Sequence, residues 1–221
     1  MNRHIKFSEG EYYHVYNRGV EKRDVYMDDH DYLRFQRMMF YANGEKPIIY
    51  KLLSGDIPGS DTRGVTLCAI GAYVLMPNHF HMLIRATNDT GITEFMRKLT
   101  TGYTMYFNKK YNRVGPLFQG TFKAEHVTRD EYLKYLFAYI HLNPVKLIDP
   151  TWRKEGIKNS KTAKRYLEKY QYSSMPEWMG KKHIQSLIIT PLEFPEYFED
   201  VEQFDIYIND WLNFQGSTLE E

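Results

Sequence analysis

Thr66-Leu-Cys-Ala-Ile-Gly-Ala-Tyr-Val-Leu-Met-Pro-Asn-His-Phe-His-Met-Leu-Ile-Arg85 reads as two β-strands and a turn. Thr66 to Leu75 is apolar enough for a central strand, Met76-Pro77-Asn78 reverses the chain, and His79 to Arg85 returns as the second arm of a hairpin. Side chains alternate across a strand, so His79 and His81 share one face while Phe80 anchors the other. Two imidazoles about 7 Å apart along a strand can converge on one metal ion. A bare His-x-His pair is more often just two polar residues on the open face of a half-buried sheet. Leu83 stands where a third alternating histidine would, which removes the His-x-His-x-His pattern.

Outward from the hairpin, strands and helices alternate. Glu11 to Asn17 has strand composition and closes in the turn Asn17-Arg18-Gly19. Asp28 or Asp29 caps a helix to about Ala42, and Pro47 to Asp61 reads as an exposed excursion. Thr93 to about Tyr111 has helical periodicity, Pro116 to Val127 reads as a fourth strand, and Thr128 opens a helix to about Leu142. Asn143-Pro144 stops that helix, because a residue before proline is pushed out of the helical region. The order β-α-β-β-α-β predicts an α+β fold, a ferredoxin-like antiparallel four-stranded sheet with helices packed on one face. The predicted division is a domain over 1–146 and a helical extension over 147–221, basic first and then acidic.

The net charge of +1 over 221 residues conceals opposed blocks. Phe95 to Ala124 contains no acid but six basic residues, Arg97, Lys98, Lys109, Lys110, Arg113 and Lys123. Arg153 to Lys169 carries seven basic residues and two acids, whereas Glu193 to Glu221 carries nine acids and no Lys or Arg. A near-neutral sum of this kind does not exclude a polyanionic partner. Aromatics, at 16%, are interleaved with the acid-free block at Tyr103, Tyr106, Phe107, Tyr111, Phe118 and Phe122. Positive charge tracks phosphates and aromatic faces stack on unpaired bases, although Tyr103, Tyr106 and Phe107 have the spacing of a buried stripe. Arg18, Lys22 and Arg23 after the first strand add charge to the same candidate surface. The longest apolar run, ten residues from Leu67 to Met76, falls short of the roughly 18 of a membrane span, and the single Cys68 forms no internal disulfide; a cytoplasmic protein without a membrane partner is expected.

Tyr132, Tyr135 and Tyr139 lie at spacings of three and four, on one helical face. Such a stripe is usually core. Tyr139 is set apart by Asn143 one turn on, whose amide oxygen could complete a His-His-Asn metal set; Lys134 and Lys146 are near enough in sequence to meet phosphate.

These features resemble a known family. Tyr13-His-Val-Tyr-Asn-Arg-Gly-Val-Glu-Lys-Arg-Asp-Val-Tyr26, Val74-Leu-Met-Pro-Asn-His-Phe-His-Met-Leu-Ile84, Gly115-Pro-Leu-Phe-Gln-Gly120 and Tyr139-Ile-His-Leu-Asn-Pro-Val145 look like the single-tyrosine HUH endonucleases of small insertion sequences. Within these they are most similar to the REP-associated tyrosine transposases. The resemblance implies a metal-dependent endonuclease and strand transferase that cuts single-stranded DNA near REP-like hairpins through a 5′-phosphotyrosine intermediate. By position it makes His79 and His81 ligands of Mg2+ or Mn2+ and Tyr139 the nucleophile. Asn143 stands where relatives carry a glutamine as third ligand, with His141, on another face, as a substitute. Thr121 lies near a position that is often arginine in relatives. Insertion-sequence relatives often work as dimers that exchange the tyrosine helix and REP-associated ones look more like monomers, so the resemblance implies a monomer or homodimer. Two other classes share the fold, a nucleic-acid-binding regulator without turnover and a replication initiator or relaxase; binding that survives chelation without cleavage would mark the regulator.

Overall fold

The computed structural model describes residues 5–49, 53, 62–182 and 184–214. Most of the excursion expected between Pro47 and Asp61 lies outside them. Four strands, β1 (Tyr12–Arg18), β2 (Cys68–Met76), β3 (His79–Ala86) and β4 (Lys123–Val127), form one antiparallel sheet in the order β2-β3-β1-β4. With α1 (Asp29–Ala42) between β1 and β2, and α2 (Gly91–Lys110) between β3 and β4, this is the expected ferredoxin-like arrangement. Asp28 caps α1 by accepting from the Asp31 amide, as its position in the sequence suggests.

The helices do not all lie on one face. Phe80, Met82 and Ile84 of β3 join Phe35, Met38, Phe95, Leu99 and Tyr103 of α1 and α2 in one core. The opposite face presents Val74, Met76 and Leu83, and α3 (Asp130–Leu142) covers it with Leu133, Leu136, Phe137 and Ile140. A sheet apolar on both faces requires cover on both. Asp31, fully buried, ties the first layer together: it accepts from the Lys110 ammonium at 2.7 Å, the Tyr106 and Tyr111 hydroxyls at 2.9 and 2.7 Å, and the Met27 amide at 2.9 Å. A carboxylate so enclosed is tolerable only because each lone pair is satisfied.

β2 is buried along its whole length yet sits at the edge of the sheet, not in its centre. Its apolar character has another cause, the segment beyond residue 146. That segment contains α4 (Trp152–Glu155), α5 (Ser160–Lys169), α6 (Met175–Trp178) and α7 (Val201–Asn213). The Leu75 amide donates to the Tyr172 carbonyl, Ser174 and Tyr73 exchange backbone and side-chain bonds, and Thr190 does the same with Ile70. These contacts cover the polar edge that an outer strand leaves exposed. Gly71 sits at a bulge in β2 where the Phe194 ring and the Trp178 indole N–H, 2.9 Å from the Gly71 carbonyl, approach the backbone.

Three further boundaries differ from the sequence reading. β4 begins at Lys123, seven residues later than expected, because Gly115 and Gly120 adopt positive φ (88° and 73°) and residues between them form a loop against the end of β1. Arg129, not Thr128, is the residue before α3, and it makes no side-chain cap. Asn143 remains helical (φ −50°, ψ −41°), and the chain continues into a 3₁₀ turn, Asn143–Leu147. Pro144 is the second residue of this turn, where no N–H is needed, and the Asn143 side-chain amide is held by donating to the Tyr139 carbonyl at 2.8 Å.

Candidate functional site

The register of β1 against β3 pairs Tyr16 with His81 and Arg18 with His79. Because α3 lies over the same face, His79, His81 and Tyr139, 60 and 58 positions apart in sequence, line one cavity of about 480 Å³. Asn143, Tyr16, Asn17 and Gln119 complete its polar wall. Arg18, Lys22, Lys123, Lys146 and Arg153 line it too, and among the described residues no carboxylate does. Five cations around a concave, partly desolvated surface make it a receptor for an anion.

The turn after β1 aims part of this charge. Gly19 carries the chain so close to the Arg23 carbonyl that a Cβ would lie 2.1 Å from that oxygen. Glu21 and Lys22 then take positive φ (56° and 61°), a conformation that costs a residue with a Cβ roughly 1–2 kcal/mol. The strained turn presents the Lys22 carbonyl to the Asn78 side-chain amide at 3.0 Å. With its NH2 so committed, Asn78 turns its oxygen to His79 Nδ1 at 2.6 Å. A carbonyl oxygen only accepts, so His79 carries a proton on Nδ1, and its neutral form keeps the lone pair on Nε2.

His81 is nearly buried; burial first, and then the neighbouring His14 and His79, push its pKa well below the ordinary imidazole range, so it is neutral at pH 7. Its Nδ1 lies 2.9 Å from Nε2 of His14, a buried residue of β1. Beyond His14 stands Glu125, whose carboxyl is held below the usual range by His14 and by the Tyr16 hydroxyl at 2.6 Å.

Tyr139 presents its ring edge-on to His14 and His81, with centroids 5.6 and 5.5 Å apart. The Arg153 guanidinium from α4 lies 4.7 Å from the centre of the Tyr139 ring and donates to the Asn143 amide oxygen at 3.1 Å. The extension therefore reaches into the site. Tyr135 turns instead towards Trp211, and His141 is enclosed against Ser174 Oγ at 2.7 Å, where burial lowers its pKa to about 3. The separation of His141 from the Tyr139 face was readable from helical spacing.

The nine expected DNA contacts divide. Arg18, Lys22 and Lys123 line the cavity, and Arg23 and Arg113 line a second cleft of about 280 Å³ with Asp24, Met27, Phe107 and Tyr111. Lys110 is clasped by Asp28 and Asp31, and Lys98 donates to the Gly44 and Lys46 carbonyls. Arg97 and Lys109 are exposed on α2, across the sheet from the histidines. Of the two lysines near the tyrosine helix, Lys146 reaches the cavity and Lys134 lies among Tyr197, Phe198 and Tyr207. Sequence reading gave no role to Tyr16, Gln119 or His14 and saw Arg153 only within a basic block; period-two alternation along β1 places His14 and Tyr16 on one face, but not which face.

Among the described residues no group of three or more His, Cys, Asp or Glu could hold a metal ion. The donor set at the cavity is two imidazoles and the Asn143 amide oxygen, the latter already accepting from Arg153. The lone pair set on His79 Nε2 and the neutrality of His81 fit a divalent ion that takes its remaining ligands from phosphate and water.

Residues 63–143 match the family model described as "Transposase IS200 like". Over this segment the chain is similar to IS200-like transposases. That segment contains β2, β3, α2, β4 and α3, and with them His79, His81, Tyr139 and Asn143. The resemblance to single-tyrosine transposases read from the motifs is borne out there. Among solved structures, a REP-associated tyrosine transposase bound to a REP hairpin is similar at 14% identity and a TM-score of 0.47, covering 84% of this chain and 89% of that one. A bacterial tRNA(His) guanylyltransferase-like protein in complex with GTP is similar at 14% identity and a TM-score of 0.34, covering 69% and 76%. No curated protein matches. None of the helices described is long and apolar enough to cross a membrane.

Proposed function

We propose that this protein is a metal-dependent endonuclease and strand transferase for single-stranded DNA bearing REP-like hairpins, with Tyr139 as nucleophile. One observation carries the reading: two strand-borne imidazoles and a helical tyrosine face the same cation-lined cavity. A divalent magnesium or manganese ion held by His79 and His81, with Asn143 as third ligand, would supply Lewis-acid stabilisation of charge on the phosphate oxygens.

The chain's own residues do the rest. Arg18, Lys22, Lys123 and Lys146 hold the scissile phosphate by charge, and Arg153 fixes the Tyr139 ring and the Asn143 amide relative to it. Tyr139 Oη attacks phosphorus, the bond from phosphorus to the 3′-oxygen breaks, the phenol gives up its proton and the departing oxygen takes one from solvent. One phosphodiester is exchanged for another, so the 5′-phosphotyrosine can be resealed to a new 3′-hydroxyl without ATP. The second cleft sets Arg23 and Arg113 beside Asp24 and Tyr111, one aromatic ring for an unpaired base and a net positive charge for a phosphate. Arg153 binds the extension to the same site, which favours a monomer that completes its own centre.

The test incubates single-stranded hairpin oligonucleotides with wild type, Tyr139→Phe, and the double variant His79→Ala, His81→Ala, in manganese or magnesium. A denaturation-resistant adduct at the 5′ side of the break, formed by wild type alone, is the expected result. An adduct that persists in Tyr139→Phe overturns the choice of nucleophile. Hairpin binding that survives chelation, with no adduct in either metal, overturns the enzyme in favour of the regulator.

A further inference from the structure

His14 has no part in the reading above, yet it is nearly inaccessible and lies 2.9 Å, Nε2 to Nδ1, from His81, with the two rings inclined by only 20°. A hydrogen bond between imidazoles needs one N–H and one lone pair, so the two rings share a choice of two arrangements. In the first, His81 donates from Nδ1 and leaves its lone pair on Nε2. In the second, His14 donates and His81 carries its proton on Nε2.

Glu125 decides between them. Among the described residues His14 Nδ1 has no hydrogen-bond partner, and it faces Glu125 Oε2 at 3.9 Å. The other carboxylate oxygen of Glu125 is anchored by the Tyr16 hydroxyl at 2.6 Å, which fixes the charge beside His14. In the first arrangement the buried His14 turns an N–H towards that carboxylate; in the second it turns a lone pair towards it. The first is favoured, since a carboxylate attracts an N–H and repels a lone pair, and the His14 side of the contact is closed to water.

We propose that His14, backed by Glu125, is a positioning residue that holds His81 in the Nδ1–H tautomer, with its Nε2 lone pair ready for a metal ion; the metal part rests on the function proposed above. His79 reaches the same state through Asn78, so each histidine of the pair has its tautomer set by a separate partner from outside the pair. Imidazole ligands are commonly oriented in this way by a carboxylate, a carbonyl or another acceptor behind them.

The test has two readouts on the whole chain. Long-range 1H–15N NMR on metal-free protein reads the His81 tautomer, and loss of the free Mn2+ EPR signal reads metal affinity. Wild type should show His81 protonated on Nδ1. His14→Phe, which keeps an aromatic ring but no acceptor, should lose that preference and bind Mn2+ about 10–100-fold more weakly. His14→Gln, whose amide oxygen can accept from His81, should recover most of both. A wild-type His81 protonated on Nε2, or equal tautomer populations in wild type and a folded His14→Phe, overturns the proposal. Should His14→Phe fail to fold, His14→Gln decides by itself, since a tautomer lost in this folded variant contradicts the acceptor role. Absence of Mn2+ binding by wild type, with the Nδ1–H tautomer present, overturns the metal function and leaves the positioning of His81 standing.

Discussion

A methyl group added at Gly71 tests how the C-terminal segment holds the sheet. An ideal Cβ there would lie 2.7, 2.8 and 2.9 Å from three atoms of the Phe194 ring, closer than carbon atoms approach. Phe194 is nearly buried against Tyr12 and Phe137, and Trp178 bonds the Gly71 carbonyl, so the ring has little room to withdraw. Overpacking of this kind costs about 1–3 kcal/mol. Phe194→Ala removes a buried ring and should cost about 3–5 kcal/mol. In the double variant the new methyl enters space the ring has left, and the strand gains an alanine in place of a glycine, worth about 0.5–1 kcal/mol. Gly71→Ala should therefore destabilise wild type but be neutral or slightly stabilising on the Phe194→Ala background, a departure from additivity of about 2 kcal/mol. Urea denaturation of the four proteins, followed by tryptophan fluorescence and far-UV circular dichroism, measures it. Additivity to within about 0.5 kcal/mol would refute the packing of Phe194 on Gly71. The result bears on the site, because Phe194 also packs on Phe137 of α3, the helix that carries Tyr139.

Glu177 supplies a pH dependence. Its carboxylate oxygens are shut off from water, and burial raises its pKa from 4.5 to about 7. A raised carboxyl pKa means that the folded state binds the extra proton between those values, so stability falls as pH rises from about 4.5 through 7. At pH 8 the loss is up to about 3 kcal/mol; Glu177→Gln should remove this slope, and an unchanged slope in thermal melts from pH 4.5 to 8 would contradict the assignment. On single-stranded hairpin DNA, replacing Lys22, Lys123 and Lys146 together by alanine should lower the slope of log K against log salt by about 2, at roughly 0.7 per phosphate contact. Fluorescence anisotropy across a salt series reads the slope, and an unaltered value would place the phosphates elsewhere.

The local pieces were legible because they depend on near neighbours. Period-two alternation puts His79 and His81 on one face whatever the sheet does, and helical spacing puts Tyr139 and Asn143 together and His141 apart. The acid-free stretch was legible as charge, but its fate was not. Lys110 and Lys98 look like Lys123 in sequence, and only packing shows that Asp31 and two backbone carbonyls occupy the first two while Lys123 faces the cavity.

β2 shows why such readings fail. An apolar run reports burial and carries no information about what does the burying, so a central strand and an edge strand covered by a distant segment look alike. Asn143 shows the same limit in the backbone: the local penalty before proline is outweighed by a side-chain bond to Tyr139 and by burial.

By itself, the sequence determined the order of strands and helices, the pairing of two histidines on a face and the turn spacing of Tyr139 and Asn143. These follow from the fixed periods of strand and helix, which act over a few residues. Tertiary structure alone decided that His14 would stand behind His81, that Arg153 would reach Tyr139 from the extension, and which cations would meet in one cavity. Each of those is set by register and packing between segments distant in sequence, and no local period encodes them.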